Sequence, residues 1–126
     1  MSDGKRNALN WFEIPSLDFA RAKKFYETIY GVDMHTMKMG DADMAFLPMD
    51  EGKVGGAVTC CESMKPSPDG TLVYLNANPD LSTMLGRVEK AGGKVVVPKT
   101  QVTPEIGFFA IFIDTEGNKV ALHSQS

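Results

Sequence analysis

The stretch NWFEIPSLDFARAKKFYETIYG, residues 10–31, decides the fold, because a weaker copy of it, LVYLNANPDLSTMLGRVEKAGG, returns at residues 72–93. In the first copy an apolar strand runs into an aspartate, and apolar side chains then recur at the spacing of one helical face. The second copy keeps three residues at a constant offset of 62. These pairs are Asp18 with Asp80, Glu27 with Glu89, and Gly31 with Gly93. An aspartate before a helix accepts unpaired backbone N–H groups, and a glycine after it tolerates a left-handed closing conformation. The chain therefore contains two similar halves that each open with strand, cap and helix.

Each half continues with three more strands, which alternation and turn residues predict. In the first half these strands are residues 33–39, 44–49 and 54–60, and in the second half they are residues 94–98, 108–113 and 119–123. Residues 62–70, rich in proline and other turn formers, link the halves. Residues 100–107 are predicted to be a polar loop that runs over the surface or folds as a lid. The pattern predicts one α+β domain built from two βαβββ modules, residues 8–61 and 71–124.

Composition narrows the classes of partner. The chain has 126 residues, an apolar content of 43% and a net charge of −3, which suits a single folded domain. Lysines and arginines are scattered among acidic residues, so we expect no nucleic-acid partner. The sequence has neither an apolar run that could span a membrane nor an apolar signal segment, so we expect no membrane partner and a cytoplasmic protein. The adjacent Cys60 and Cys61 favour two small residues at a strand end over redox chemistry.

The repeated unit, the FYE sequence of the first helix and the closing DTEGNKVALHS resemble one known superfamily. This is the glyoxalase, bleomycin-resistance and extradiol-dioxygenase superfamily, also called the vicinal oxygen chelate proteins. The resemblance runs from about Ala8 to His123. It implies that each module is a curved mixed sheet with its helix on the convex side, and that the two modules pair around a shared concave cleft. It also implies a divalent metal in that cleft, with ligands from the first and last strands of each half.

The residues at the implied metal-ligand positions do not suit a metal. The resemblance and the internal repeat place these positions at Trp11, Val73, Gly55 and Ala121. A divalent metal needs nitrogen, oxygen or thiolate donors, and these side chains supply none. We therefore expect neither a metal nor another cofactor.

Strand alternation suggests which residues take the place of a metal centre. If Trp11 faces the cleft, Glu13 does too, since successive side chains alternate between faces. The same rule sends His123 to the cleft from the last strand. A carboxylate beside an imidazole can act as an acid–base pair or as a polar clamp for a ligand. The alternative is that both residues lie near strand ends and face water. Further candidate walls of the cleft are Phe46, Leu75 and Phe112.

Two functional hypotheses follow. The first is a metal-free protein that binds a small organic molecule in the cleft between the modules, through Trp11, Glu13, Phe46, Leu75, Phe112 and His123. The second is a lyase, an isomerase or a dioxygenase-type enzyme, which works without metal through Glu13 and His123 or holds a metal at other positions. The resemblance alone cannot decide, because one fold supports many chemistries. Bare sheet edges further predict a symmetric homodimer.

Overall fold

The fold is that of a computed structural model, which describes Gly4 and residues 6–126. The elements of the first module are β1 (Trp11–Pro15), α1 (Phe19–Tyr30), β2 (Thr36–Met39), β3 (Ala42–Phe46) and β4 (Gly55–Cys60). Those of the second module are β5 (Tyr74–Asn76), α2 (Ser82–Val88), β6 (Lys94–Thr103), β7 (Gly107–Ile113) and β8 (Lys119–Ser124). Within this described part, no helix is both long and apolar enough to cross a membrane.

Each module is a four-stranded mixed sheet with one helix. The strand orders are β1-β4-β3-β2 and β5-β8-β7-β6, and in each sheet the first strand of the module pairs in parallel with the last. The remaining strand pairs are antiparallel. The two sheets therefore have the same topology. The predicted α+β fold of two βαβββ modules is confirmed.

The two helices differ in how well the sequence predicted their ends. The Asp18 side chain accepts a hydrogen bond from the Arg21 amide at 3.1 Å, and Gly31 closes α1 with a φ of 75°, as predicted. In the second module α2 begins after Leu81, whose side chain makes no capping hydrogen bond, and it ends at Val88, well before Gly93. Asp80 Oδ1 accepts a hydrogen bond from the backbone amide of Ser82, the first residue of α2, and another from Lys99 Nζ, both at 2.9 Å. The aspartate of the second copy therefore accepts a backbone N–H at the start of its helix, as predicted, and forms an ion pair with Lys99 in addition.

One hydrophobic core joins the modules. It contains the buried face of α1, residues of α2, and residues from one face of each sheet. Phe25 of α1 packs against Phe112 of β7, with their ring centroids 5.7 Å apart. We call these core-facing sides of the sheets the helix faces and the opposite sides the outer faces. Because side chains alternate along a strand, Trp11 and Glu13 lie on the outer face of the first sheet, and Tyr74, Asn76 and His123 on that of the second.

A polar network fastens the second module to the start of α1. The Glu116 carboxylate accepts hydrogen bonds from the amides of Leu17 and Asp18, at 2.9 and 2.8 Å, and from Arg21 Nε at 2.7 Å. These contacts satisfy amides at the beginning of a helix, where no intrahelical acceptor is available. The turn between β7 and β8 therefore acts as the cap of a helix in the other module.

A second part of this network lies beside the first. The hydroxyl of Tyr26 donates to Asp114 Oδ2 at 2.7 Å, and Asn118 Nδ2 donates to the Pro15 carbonyl at 2.7 Å. All three polar side chains are buried. Their hydrogen bonds compensate for the loss of water and fix the modules relative to each other.

The predicted lid at residues 100–107 is not a loop. Strand β6 continues to Thr103 and pairs with β7, so only residues 104–106 form the connection. Register shifts along the β6–β7 pair interrupt the simple alternation of polar and apolar residues. That irregularity hid the strand from the sequence pattern.

Candidate functional site

β1 and β5 are edge strands of the two sheets and do not pair with each other in the described residues. Residues of both strands line the same groove, and we call this region between the sheets the seam. Two grooves follow this seam. The main groove has a volume of about 600 Å³ and the second groove one of about 310 Å³. Leu9 and Phe12 line both grooves, so the two are neighbours along the seam.

The main groove combines apolar walls with a few polar groups. Its aromatic and aliphatic lining consists of Leu9, Phe12, Tyr30, Leu47, Pro48, Met49, Val54, Tyr74 and Leu75. Its polar lining consists of Asp50, Lys53, Asn76 and Asn78. Pockets for small organic molecules have this composition, in which apolar walls supply affinity and a few polar groups fix orientation.

Two glycines of β4 let large side chains pack at the main groove. A Cβ atom at Gly56 would lie 2.5 Å from Phe12 Cε1, and one at Gly55 would overlap with Met49 Sδ. Glycine inside a strand often marks such a close approach. Phe12 and Met49 can occupy the groove wall because Gly55 and Gly56 have no side chain.

The backbone of both edge strands faces the seam. The Ser16 backbone amide donates a hydrogen bond to the Thr59 carbonyl of β4. Backbone groups alternate in direction along a strand, so those of Phe12 and Ile14 also point to β4, whereas those of Trp11 and Glu13 point to the seam. In β5 the Val73 carbonyl accepts from the Ala121 amide, so the backbone groups of Tyr74 and Asn76 point to the seam. The seam therefore offers backbone donors and acceptors to a bound molecule.

Three side chains give the main groove its own hydrogen-bonding capacity. Tyr30 is partly buried, burial raises the pKa of its phenol far above the ordinary value, and the hydroxyl has no partner among the described residues. Asn76 Oδ1 accepts from the Asn78 amide at 3.0 Å, and Asn78 Oδ1 accepts from the Gln125 amide at 2.8 Å. Each asparagine thus uses its oxygen within the protein and keeps its NH₂ group for other partners.

The structure separates the predicted acid–base pair. Glu13 lines the second groove, whereas His123 lies on the outer face of the second sheet and its Nε2 donates to the Ile106 carbonyl at 2.6 Å. The two residues belong to different modules and line no common groove among the described residues. Both residues lie on outer faces, as strand alternation indicated, but on different sheets.

The four predicted wall residues have different surroundings. Trp11 is 38% exposed and makes an edge-to-face contact with Phe46, with centroids 6.1 Å apart, on the outer face of the first sheet. Leu75 is 2% exposed and belongs to the shared core, although it also borders the main groove. Phe112, predicted to line the cleft, is instead buried in the core against Phe25. It pairs with Val120 on the helix face, whereas Phe109 pairs with His123 on the outer face.

The strand register also corrects one implied metal position. Trp11 pairs with Gly55, and the equivalent pair in the second module is Tyr74 with Ala121, so Tyr74 and not Val73 is the counterpart of Trp11. Val73 packs against the core. Of the four positions only Tyr74 carries an atom with a lone pair that could bind a metal, and one phenol does not make a divalent metal site. Elsewhere among Gly4 and residues 6–126, no group of three or more His, Cys, Asp or Glu side chains could hold a metal ion.

Comparison with known proteins identifies the family. A sequence model of the glyoxalase/bleomycin resistance protein/dioxygenase superfamily matches residues 8–122. The chain belongs to this superfamily. A glyoxylase-like domain-containing protein of Didymella fabae is 30% identical over 119 residues, which cover 90% of this chain and 91% of that protein. The resemblance inferred from the repeated sequence is confirmed.

Solved structures of superfamily type share the fold. A glyoxalase/bleomycin resistance protein from Albidiferax ferrireducens T118 superposes with a TM-score of 0.74 at 14% identity, covering 95% of this chain and 100% of that chain. TnmS3, an antibiotic-binding protein from Streptomyces sp. CB03234, gives a TM-score of 0.63 at 20% identity, covering 97% and 98% of the two chains. At such identities these matches support the fold alone.

Sequence reasoning did not identify the donors of the main groove. Tyr30 is the last residue of α1, and its sequence spacing assigned no role to it. Asn76 and Asn78 flank Ala77 at the end of the short strand β5. An asparagine that ends an edge strand, with a second one two residues later, is the signal that could have indicated this site, since asparagine is depleted in strands.

Proposed function

We propose that this protein binds a small organic molecule in the main groove, without a metal. The observation that carries the proposal is the groove of about 600 Å³, which both modules line with aromatic and aliphatic side chains around a few polar groups. Such a groove buries most of a ligand of moderate size. The antibiotic binding named for TnmS3, which has the same fold, adds support for a binding role.

The metal positions favour binding over the metal-dependent chemistry that the superfamily implies. Trp11, Gly55 and Ala121 offer no donor, so the residues do not fit a metal ion. Glu13 lies on the first sheet and His123 on the second, and among the described residues they line no common groove. The hypothesis of an enzyme that uses these two residues therefore has no geometric support here.

The proposal is tested by removing one wall of the groove. Tyr74 is 53% exposed and lines the groove, so Tyr74→Ala should weaken binding at least about fivefold with little effect on stability. Val96→Ala is the matched control, because Val96 is 48% exposed on β6, outside both grooves. A panel of uncharged aromatic compounds is screened by thermal shift, and each hit is titrated by equilibrium dialysis with and without EDTA.

Two results would contradict the proposal. The first is that no compound of the panel binds. The second is that Tyr74→Ala binds the hits as tightly as the Val96→Ala control, since the ligands would then occupy another part of the molecule.

A further inference from the structure

The donor groups of the main groove define a class of ligand. We propose that the protein selects uncharged planar molecules with carbonyl oxygens, which accept hydrogen bonds from Tyr30, Asn76 and Asn78. This inference rests on the proposed function, since it concerns the ligand of the same groove. It goes further because it specifies the chemistry that the groove recognises.

The hydroxyl of Tyr30 is the first element of this donor set. The hydroxyl of Tyr26, one helical turn earlier, donates a hydrogen bond to Asp114, whereas the hydroxyl of Tyr30 has no hydrogen-bond partner within the described residues. A partly buried hydroxyl without a partner gains a hydrogen bond when a ligand brings an acceptor. Burial keeps this phenol protonated, so it remains available as a donor.

The two asparagines are donors because the protein already uses their oxygens. The backbone N–H groups of Asn78 and Gln125 can only donate. The side-chain atoms that accept from them, at 3.0 and 2.8 Å, must therefore be Oδ1 of Asn76 and Oδ1 of Asn78. Each NH₂ group is therefore directed away from its intramolecular bond. No described side chain takes a hydrogen bond from either NH₂ group.

The charges of the groove favour an uncharged ligand. Among its described lining residues, Asp50 and Lys53 are the only ionised side chains, and they lie in one turn with opposite charges. The groove therefore has no net side-chain charge with which to attract an ion. At the seam, the backbone of Tyr74 and Asn76 adds one N–H donor and one carbonyl acceptor per residue. The side chains of Tyr30, Asn76 and Asn78 therefore give the groove an excess of hydrogen-bond donors.

The shape of the walls favours a planar ring system. Phe12, Tyr30 and Tyr74 bring aromatic surfaces to the groove from β1, α1 and β5. Aromatic side chains stack against planar rings and gain attraction beyond the burial of apolar area. A flat molecule with carbonyl groups at its edge satisfies both the walls and the donors.

The test compares 9-fluorenone with fluorene, which has the same ring skeleton and a methylene in place of the carbonyl. Equilibrium dialysis should show that the wild-type protein binds fluorenone about tenfold more tightly than fluorene. Tyr30→Phe, Asn76→Asp and Asn78→Asp each remove one donor, and the aspartates can still accept the intramolecular hydrogen bond. At least one of these variants should lower fluorenone affinity about five- to tenfold relative to its fluorene affinity.

Gln101→Glu is the control for added negative charge, because Gln101 is exposed on β6 and lines neither groove. It should keep the wild-type ratio of the two affinities, and thermal unfolding should show that all four variants fold. If the wild-type protein binds both compounds equally, or if all three donor variants keep the wild-type ratio, the carbonyl preference is refuted while the proposed binding function stands. If neither compound binds at its solubility limit, the inference and the proposed function both fail for this groove.

Discussion

Replacing Glu116 by glutamine should destabilise the protein through the junction between the modules. The Glu116 side chain has no exposure to solvent, and its carboxylate accepts hydrogen bonds from two amides of the other module and from Arg21. Burial alone raises the pKa of this carboxyl group. The bonds from Arg21, the Asp18 amide, Thr115 and the Leu17 amide outweigh burial and lower the pKa from 4.5 to about 2.

The lowered pKa sets the size and the pH range of the effect. A fall from 4.5 to about 2 in the folded state corresponds to about 3 kcal/mol of stability when the carboxylate is ionised. This contribution is fully present above the unfolded-state pKa and is lost as the pH falls from about 4.5 towards 2. Glutamine keeps one acceptor but loses the charge, so we expect Glu116→Gln to cost about 2–3 kcal/mol at pH 7.

Urea denaturation of the wild-type protein and Glu116→Gln at pH 7 and pH 3 measures this effect. The difference in free energy of unfolding should be clearly smaller at pH 3 than at pH 7, because the wild-type protein has by then lost part of the contribution. Glu105→Gln is the control, since Glu105 is exposed in the turn between β6 and β7, and it should change stability by less than about 0.5 kcal/mol. A loss under about 0.5 kcal/mol at pH 7, or an equal loss at both pH values, would refute the reasoning.

Three further predictions concern metal content, assembly and packing. Protein purified without chelator should contain well under one equivalent of nickel, zinc, iron or manganese by mass spectrometry, and a stoichiometric, tightly held metal would contradict the site analysis. The outer faces leave Trp11 and Tyr74 exposed, so sedimentation at about tens of micromolar should detect a dimer, and a monomer there would exclude this assembly. Gly56→Ala should cost about 1–3 kcal/mol in urea denaturation, because its Cβ meets Phe12. The control Gly86→Ala has open space within α2 and should be neutral or stabilising, so equal effects of the two would show that Phe12 moves freely.

The sequence predicted the architecture well because both copies of the repeat carry the residues that start and end the helix of each module. Asp18 caps α1 and Gly31 closes it, as their positions before and after an amphipathic segment indicated. The order of one strand, one helix and three strands then leaves few ways to pair the strands. What the pattern could not supply is the contact between modules, because the hydrogen bond from the Asp18 amide to Glu116 joins residues 98 positions apart in the sequence.

The face assigned to Val73 was wrong because the two halves do not keep one offset. The helices align at an offset of 62. In the strands, Tyr74 pairs with Ala121 as Trp11 pairs with Gly55, so Trp11 and its counterpart Tyr74 are separated by an offset of 63. A slip of one residue moves a strand side chain to the opposite face. Val73 was therefore assigned a position on the outer face that belongs to Tyr74, a residue that sequence reasoning left out and that borders the main groove.

Tyr26 and Tyr30 show why the remaining polar groups could not be assigned from the sequence. Both lie in α1, one turn apart, and both phenols have a raised pKa because of burial. The hydroxyl of Tyr26 binds Asp114, which is 88 residues away in the chain, so this tyrosine joins the two modules. Tyr30 lines the main groove together with Asn76 of β5 and Asn78, which follows that strand. Only the packing of the second module on α1 distinguishes a structural hydroxyl from one that is free to bind a ligand.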